Sequence, residues 1–183
     1  MFDKGVLNYS SLPLGWNAIG STWFLKTKKG PNGEFIKCKA QLCAQGFSQE
    51  PGMDFGNTFS PTTRLSSLRM LLTKATVLGL DVGQMDAVTA FLNSELSEDI
   101  FMRLPKGLEL LNNIPTGEDI VLKVCHTLYG LKKSSWYWYM DLKNFFRGIS
   151  FQTSAANPCV FSSSHPSWSC DVLVHFDDMI IVS

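Results

Sequence analysis

The sequence predicts an α+β domain built on an antiparallel sheet with helices on one face, near the split βαβ class. Three observations predict it. Residues 22–45 alternate apolar and polar side chains on either side of Gly30-Pro31-Asn32-Gly33, the pattern of a long hairpin. Residues 64–78 and 134–148 repeat apolar side chains at helical spacing. Residues 171–183 hold an acidic pair between two short apolar runs rich in β-formers. The resulting order is β, α, β, α, β, β, preceded by a basic hairpin.

A chain of 183 residues with 45% hydrophobic side chains is long enough for one sizeable core in one or two lobes. Disorder over the whole chain is excluded on that composition. Apolar runs fall short of the ~20 residues that cross a bilayer, and Met1-Phe2-Asp3-Lys4 lacks the apolar core of a signal peptide. The expectation is an intracellular protein, cytoplasmic or nuclear, with no membrane partner. Cys38, Cys43, Cys125, Cys159 and Cys170 form no C-x-x-C and no zinc-like spacing with the three histidines. Reduced, mostly buried thiols are expected. Net charge is zero, yet residues 1–74 carry nine Lys/Arg against four Asp/Glu and residues 75–183 carry seven against twelve. A balance of +5 against −5 fits one region that grips phosphates and another that holds cations, and also fits scattered surface charge.

Residues 1–20, with Ser10-Ser11, Pro13 and Gly15, lack sustained periodicity and read as an N-terminal arm. In the hairpin, Ile36, Cys38, Ala40, Leu42 and Ala44 share one face, expected to be core. Lys37, Lys39, Gln41, Cys43 and Gln45 share the other, which is either a solvated face or a platform for phosphates. Residues 46–61 read as a loop. The following helix places Leu65, Leu68, Leu72 and Ala75 on one side, with Thr62 or Thr63 as N-cap and Gly79 as stop. Residues 80–86 form a short strand that ends at Asp86, and residues 87–92 leave it through a small-residue turn. Strands are also expected at 100–103 and 121–127, with an insertion over 108–118 between them. Helix 134–148 starts near Ser134 or Ser135, buries Trp136, Tyr139, Met140, Phe145 and Phe146, and stops at Gly148. Residues 159–162 then pair across a Ser/His/Pro loop with the closing hairpin, whose tip carries Asp177 and Asp178. Alone, that pair is a turn former, as Asp86 alone is a cap. What sets the pair apart from an arbitrary turn is a third carboxylate, Asp86, in a similar strand-end setting.

Four segments in order carry a resemblance. They are Lys39-Ala40-Gln41-Leu42-Cys43-Ala44-Gln45-Gly46-Phe47, Gln84-Met85-Asp86-Ala87-Val88-Thr89-Ala90-Phe91-Leu92-Asn93, Leu128-Tyr129-Gly130-Leu131-Lys132 and Phe176-Asp177-Asp178. With Phe59-Ser60-Pro61 and Leu104-Pro105-Lys106-Gly107, the chain over about residues 20–183 resembles the reverse transcriptase of copia-type LTR retrotransposons. The resemblance implies a partial reverse transcriptase domain over 21–183, C-terminally truncated, with fingers at about 22–45 and a palm at about 62–183. It implies RNA-directed DNA synthesis on an RNA or DNA template with a primer and dNTPs, helped by two Mg²⁺ ions or by Mn²⁺. Asp86 and Asp177 would be the principal metal ligands, Asp178 the third acid, and the Ala87 carbonyl would complete the shell. Phe91 would crowd the sugar 2′ position, and Tyr129-Gly130 would lie beside the incoming nucleotide and template, with Lys39 and position 41 toward the triphosphate.

The departures from the family pattern are as specific as the matches. Gln41 stands where K-A-R-L-V-A-K-G-F has Arg, and Gln45 where it has the second Lys. An amide does not replace a delocalised cation against phosphate. Lys133-Ser134-Ser135-Trp136 replaces Q-A-P-R, and His175-Phe176 replaces the usual Tyr and small residue before the acidic pair. A truncated, degenerate copy with little activity is therefore expected, and the alternative is a catalytically inactive module that binds nucleic acid through Lys26, Lys28, Lys37 and Lys39. A purely structural domain, its acidic pair only a turn, is the third reading.

Overall fold

The computed structural model describes all residues except 3, 57, 111–114, 116–118, 164, 166 and 167. Parts of the expected 108–118 insertion and of the Ser/His/Pro loop lie outside the described residues. The chain divides into two compact units, Met1–Thr58 with Ser94–Ser134, and Phe59–Asn93 with Ser135–Ser183. Strands from residues 95–126 join those of the first unit.

The first unit holds a four-stranded sheet and a separate hairpin. Strands β1 (Leu7–Ser11), β7 (Ile120–His126), β6 (Glu95–Met102) and β2 (Ala18–Ile19) lie in that order. β1 and β6 flank β7 antiparallel, and β2 runs parallel to β6. Leu7–Ser11 and Ala18–Ile19 are thus extended as expected but are no free arm. Their backbone groups pair with β7 and β6, and Val6, Leu7 and Ile19 are buried, so apolar burial and ladder bonds recruit a segment whose side-chain pattern is too short to announce a strand.

Strands β3 (Ser21–Lys29) and β4 (Phe35–Ala44) form the predicted hairpin, paired from Ser21↔Ala44 to Lys28↔Lys37. The expected core face holds only at its base, where Leu42 and Ala44 are buried. Further out Phe24, Leu25, Phe35 and Ile36 are exposed. A two-stranded ribbon has no third layer, so alternation of residue type does not guarantee that anything covers the apolar side.

The second unit is an all-antiparallel five-stranded sheet in the order β5 (Val82–Asp86), β11 (Asp178–Val182), β10 (Asp171–His175), β9 (Val160–Ser163), β8 (Phe151–Thr153). Helix α1 (Leu65–Leu78) packs Leu71 and Ala75 on Val160, Leu173 and Val182. Helix α2 (Ser134–Gly148) packs Leu142 and Phe146 on Phe161, Val172, Val174 and Met179. Consecutive residues of β9 and β10 thus belong to different clusters, and successive side chains of a strand point to opposite faces. The helices therefore cover the two faces of the sheet, not one face as expected. The reason lies in the strands: Val172-Leu173-Val174 and Met179-Ile180-Ile181-Val182 are apolar without interruption, so both faces need cover.

Both helices turn a slightly different face inward than their residue pattern suggests. On α1, Leu68, Leu71 and Ala75 face the sheet, while Leu65 and Leu72 are exposed. Thr63 is not the N-cap. Arg64 holds that position without a side-chain cap, and the Thr63 hydroxyl donates to the Val174 carbonyl. Gly79 ends the helix as predicted, in the left-handed conformation at φ 65°. On α2, Trp138, Tyr139, Leu142 and Phe146 form the inner stripe and Phe145 is exposed, since the three- and four-residue spacings of Trp138 and Tyr139 to Leu142 and of Leu142 to Phe146 keep one side of the helix. Among the five cysteines only Cys159 is buried, and all are free thiols. Burial pushes the Cys159 thiol pKa up. Among the described residues no helix is long and apolar enough to cross a membrane.

Candidate metal and nucleotide site

The acidic residues meet at one end of the second unit's sheet. β5 lies on the outer side of β11, and its last residue, Asp86, is the direct cross-strand partner of Asp178. The hydrogen-bond pattern fixes how close they come. Asp81 and Ser183 exchange both backbone bonds, and the Ala87 N–H donates to the Asp177 carbonyl at 2.8 Å. Bonded pairs alternate with unbonded ones along an antiparallel ladder, so Asp86 and Asp178 are an unbonded pair, the closer kind, with Cα atoms about 4.5 Å apart. Their side chains share a face. Like charges placed directly opposite are destabilising, and both residues are exposed.

Asp177 enters from the hairpin turn. Phe176 and Asp177 are the two loop residues between β10 and β11, and Asp178 is already in the strand opposite His175. The tip is therefore Phe176-Asp177, one residue earlier than the expected Asp177-Asp178. Both loop carbonyls are held: Asp177 accepts from Ala87, and Phe176 accepts from the Trp138 indole N–H at 2.7 Å. Phe176 has φ 57° and Thr89, three residues after Asp86, has φ 54°. A bulky residue and a β-branched one in the left-handed region are conformational outliers, each costing about 1–3 kcal/mol, and such strain gathers at functional sites. Trp138, which the aromatic pattern of α2 left unmarked, anchors one of them. Its four-residue spacing to Leu142, and that of Leu142 to Phe146, is the signal the sequence carries for it.

Among the described residues no Lys or Arg pairs with Asp86, Asp177 or Asp178. Gln84 gives Asp178 a long hydrogen bond of 3.4 Å. An exposed anionic cluster with no cation from its own chain has the donor chemistry of a hard divalent ion. Among the described residues no three His, Cys, Asp or Glu side chains already form a closed metal cage. The residues fit an ion through the Asp86/Asp178 pair first, with Asp177 adjoining from the turn. The Ala87 carbonyl has no backbone hydrogen-bond partner among the described residues. Phe91 is half-buried in a 3₁₀ turn at Ala90–Asn93, following this site.

The remaining candidates belong to the first unit. Lys39 and Gln41 lie on one face of β4, opposite Lys26 and Phe24. The Ala44 N–H donates to the Tyr129 carbonyl at 2.7 Å, and Cys43 bridges to Tyr129. Gly130, at φ 91°, lies so close that a Cβ there would be 2.1 Å from the Ala44 carbonyl oxygen, so Tyr129-Gly130 locks against the base of the β3–β4 hairpin.

Comparison with known proteins bears on the same residues. The chain matches the family described as reverse transcriptase (RNA-dependent DNA polymerase) over residues 5–183. It is 34% identical over 180 residues to the retrovirus-related Pol polyprotein from transposon TNT 1-94 of Nicotiana tabacum, covering 98% of this chain and 13% of that protein. It is 32% identical over 163 residues to the Pol polyprotein from transposon RE1 of Arabidopsis thaliana, covering 89% of this chain and 11% of that protein. The chain therefore spans about an eighth or less of the length of these relatives. The matched span includes every acidic and basic residue discussed above, and on it the chain belongs to the reverse transcriptase family, as a reverse transcriptase domain of the retrotransposon Pol polyprotein type.

Proposed function

We propose that the chain carries the two-metal nucleotidyl-transfer site of an RNA-directed DNA polymerase, with the metal-binding half retained and the triphosphate-binding half depleted. The second unit is then the palm and the β3–β4 hairpin part of the fingers. The observation that carries this reading is the Asp86/Asp178 pair, with Asp177 tied to it through Ala87. Bound Mg²⁺, or Mn²⁺ in its place, would activate a primer 3′-hydroxyl and neutralise the leaving pyrophosphate. The chain's own residues divide the remaining tasks. Asp86, Asp177 and Asp178 supply charge, Ala87 a carbonyl oxygen, and Phe91 the bulk that rejects a ribose 2′-hydroxyl. Tyr129-Gly130 borders the nucleotide. Lys39 remains to meet the triphosphate, but Gln41 brings dipoles where the family has a cation, so charge neutralisation falls short there. Little or no synthesis by the 183-residue chain follows.

Two assays test the proposal: Mn²⁺ binding by electron paramagnetic resonance, and primer extension on an RNA template with dNTPs. Mn²⁺ binding that is lost in Asp86→Asn, together with weak or undetectable extension, supports it. Absence of Mn²⁺ binding refutes the metal site. Robust extension that vanishes in Asp177→Asn refutes the depletion and leaves an active polymerase. A second reading rests on Lys26↔Lys39 and Lys28↔Lys37, two like-charged cross-strand pairs on one face of the hairpin. That face suits phosphates without catalysis, and salt-sensitive oligonucleotide binding with no metal-dependent synthesis favours it.

A further inference from the structure

The second unit holds another cationic feature, at the β8 edge of its sheet. A recess of about 500 Å³ is lined by Lys143, Arg147, Ser150, Phe151, Gln152 and Thr153. Lys143 and Arg147 are four residues apart on α2 and so share a side of the helix. Neither has a carboxylate partner among the described residues. The six lining residues carry two positive charges and no negative one.

The backbone adds donors. Among the described residues β8 is the last strand of the sheet and pairs only with β9. The Ser154 N–H donates to the Val160 carbonyl at 2.8 Å, and Ser154 lies opposite Val160 in the register that pairs Thr153 with Phe161. Alternation along the ladder then makes Gln152 a bonded residue and leaves the N–H and C=O groups of Phe151 and Thr153 directed to the open edge. A sheet edge of this kind, flanked by cations and by the Ser150 and Thr153 hydroxyls, is an anion-binding concavity. Isolated lysines on a solvated face have no such fixed donors beside them.

From this arrangement we infer that the recess is a phosphate-binding subsite, separate from the acidic cluster and independent of any metal there. Arg147 provides a planar fork suited to two phosphate oxygens, Lys143 a point charge, and the edge amides of Phe151 and Thr153 neutral donors. The phosphate is either a phosphodiester of a nucleic-acid strand or a free phosphate such as that of a nucleotide. The chemistry of the recess is the same for both.

The test uses the full chain, isotopically labelled, with inorganic phosphate as first probe and a single-stranded oligodeoxynucleotide as second. Phosphate is expected to shift the amide resonances of Phe151 and Thr153, and Lys143→Gln with Arg147→Gln is expected to weaken that response about tenfold. If the source is nucleic acid, the double variant also loses about one to two counterions' worth of slope in oligonucleotide affinity against salt. An unchanged slope with the phosphate response lost assigns free phosphate. No shift at Phe151 and Thr153, or an equal shift in wild type and variant, overturns the inference. Asp86→Asn is expected to leave the phosphate response intact, so failure of the metal site and failure of this subsite read out separately.

Discussion

The β3–β4 and β10–β11 hairpins use the same local grammar for opposite ends. β3–β4 is a two-stranded ribbon whose outer half is exposed on both faces and whose lysines stand opposite lysines. β10–β11 lies inside a five-stranded sheet with a helix on each face, and both carbonyls of its two-residue turn are held. The contrast teaches that apolar content does not set rigidity. Ile36 and Leu173 are both aliphatic strand residues, but Ile36 is 56% exposed and Leu173 is 2% exposed, because only the second has layers to meet. Under the proposed function, carboxylates that share an ion would need the rigid setting and lysines that follow a phosphate chain would not.

The largest expected effect tests whether the buried hairpin serves its acidic end. Asp178→Asn should weaken Mn²⁺ binding at least about tenfold, as seen by paramagnetic resonance, whereas Lys26→Ala should leave it unchanged. Equal Mn²⁺ affinity in Asp178→Asn breaks the comparison at its functional end. The next effect concerns packing. Leu173→Ala should cost about 2–5 kcal/mol in urea unfolding, against less than about 0.5 kcal/mol for Ile36→Ala. Similar losses would mean that the ribbon is covered after all.

Smaller effects sharpen the picture. Trp138→Phe keeps the ring but removes the donor to Phe176, and should lower stability by about 1 kcal/mol. If the indole positions the acidic turn, Mn²⁺ affinity falls as well; unchanged affinity with lowered stability assigns it a purely structural role. Lys39→Glu converts the Lys26↔Lys39 pair to opposite charges and should stabilise the ribbon by about 0.2–1 kcal/mol. Slower hydrogen exchange at its amides is the measurement, together with a shallower salt dependence of oligonucleotide binding. The last contrast is chemical. Exposed Cys38 should react with a thiol reagent at neutral pH well before Cys159, whose thiol burial holds above its usual pKa. With the folded value raised, the contribution of Cys159 to stability is complete below the unfolded pKa of about 8.5 and is lost as pH rises through the folded one. Equal reaction rates would remove the contrast.

Much of this was legible in the residues. The β3–β4 hairpin and its turn, the span of both helices, the Gly79 stop, the strand ending at Asp86 and the turn near Asp177 all follow from local patterns, which propensity and periodicity determine. That position 41 is Gln is likewise a fact of the sequence alone. The remainder depends on partners far apart in the chain. That residues 7–11 add a strand beside Ile120–His126, that Leu71 and not Leu72 meets the sheet, and that Trp138 reaches Phe176 are outcomes of packing between segments no periodicity connects. The same holds for the site. The sequence by itself determined which carboxylates were available and that they lie at or beside the ends of strands. Only the tertiary structure decided that Asp86 stands opposite Asp178 across an unbonded pair, because strand register is set by burial on both faces of the sheet, and a slip of one residue would turn every one of those side chains to the other side.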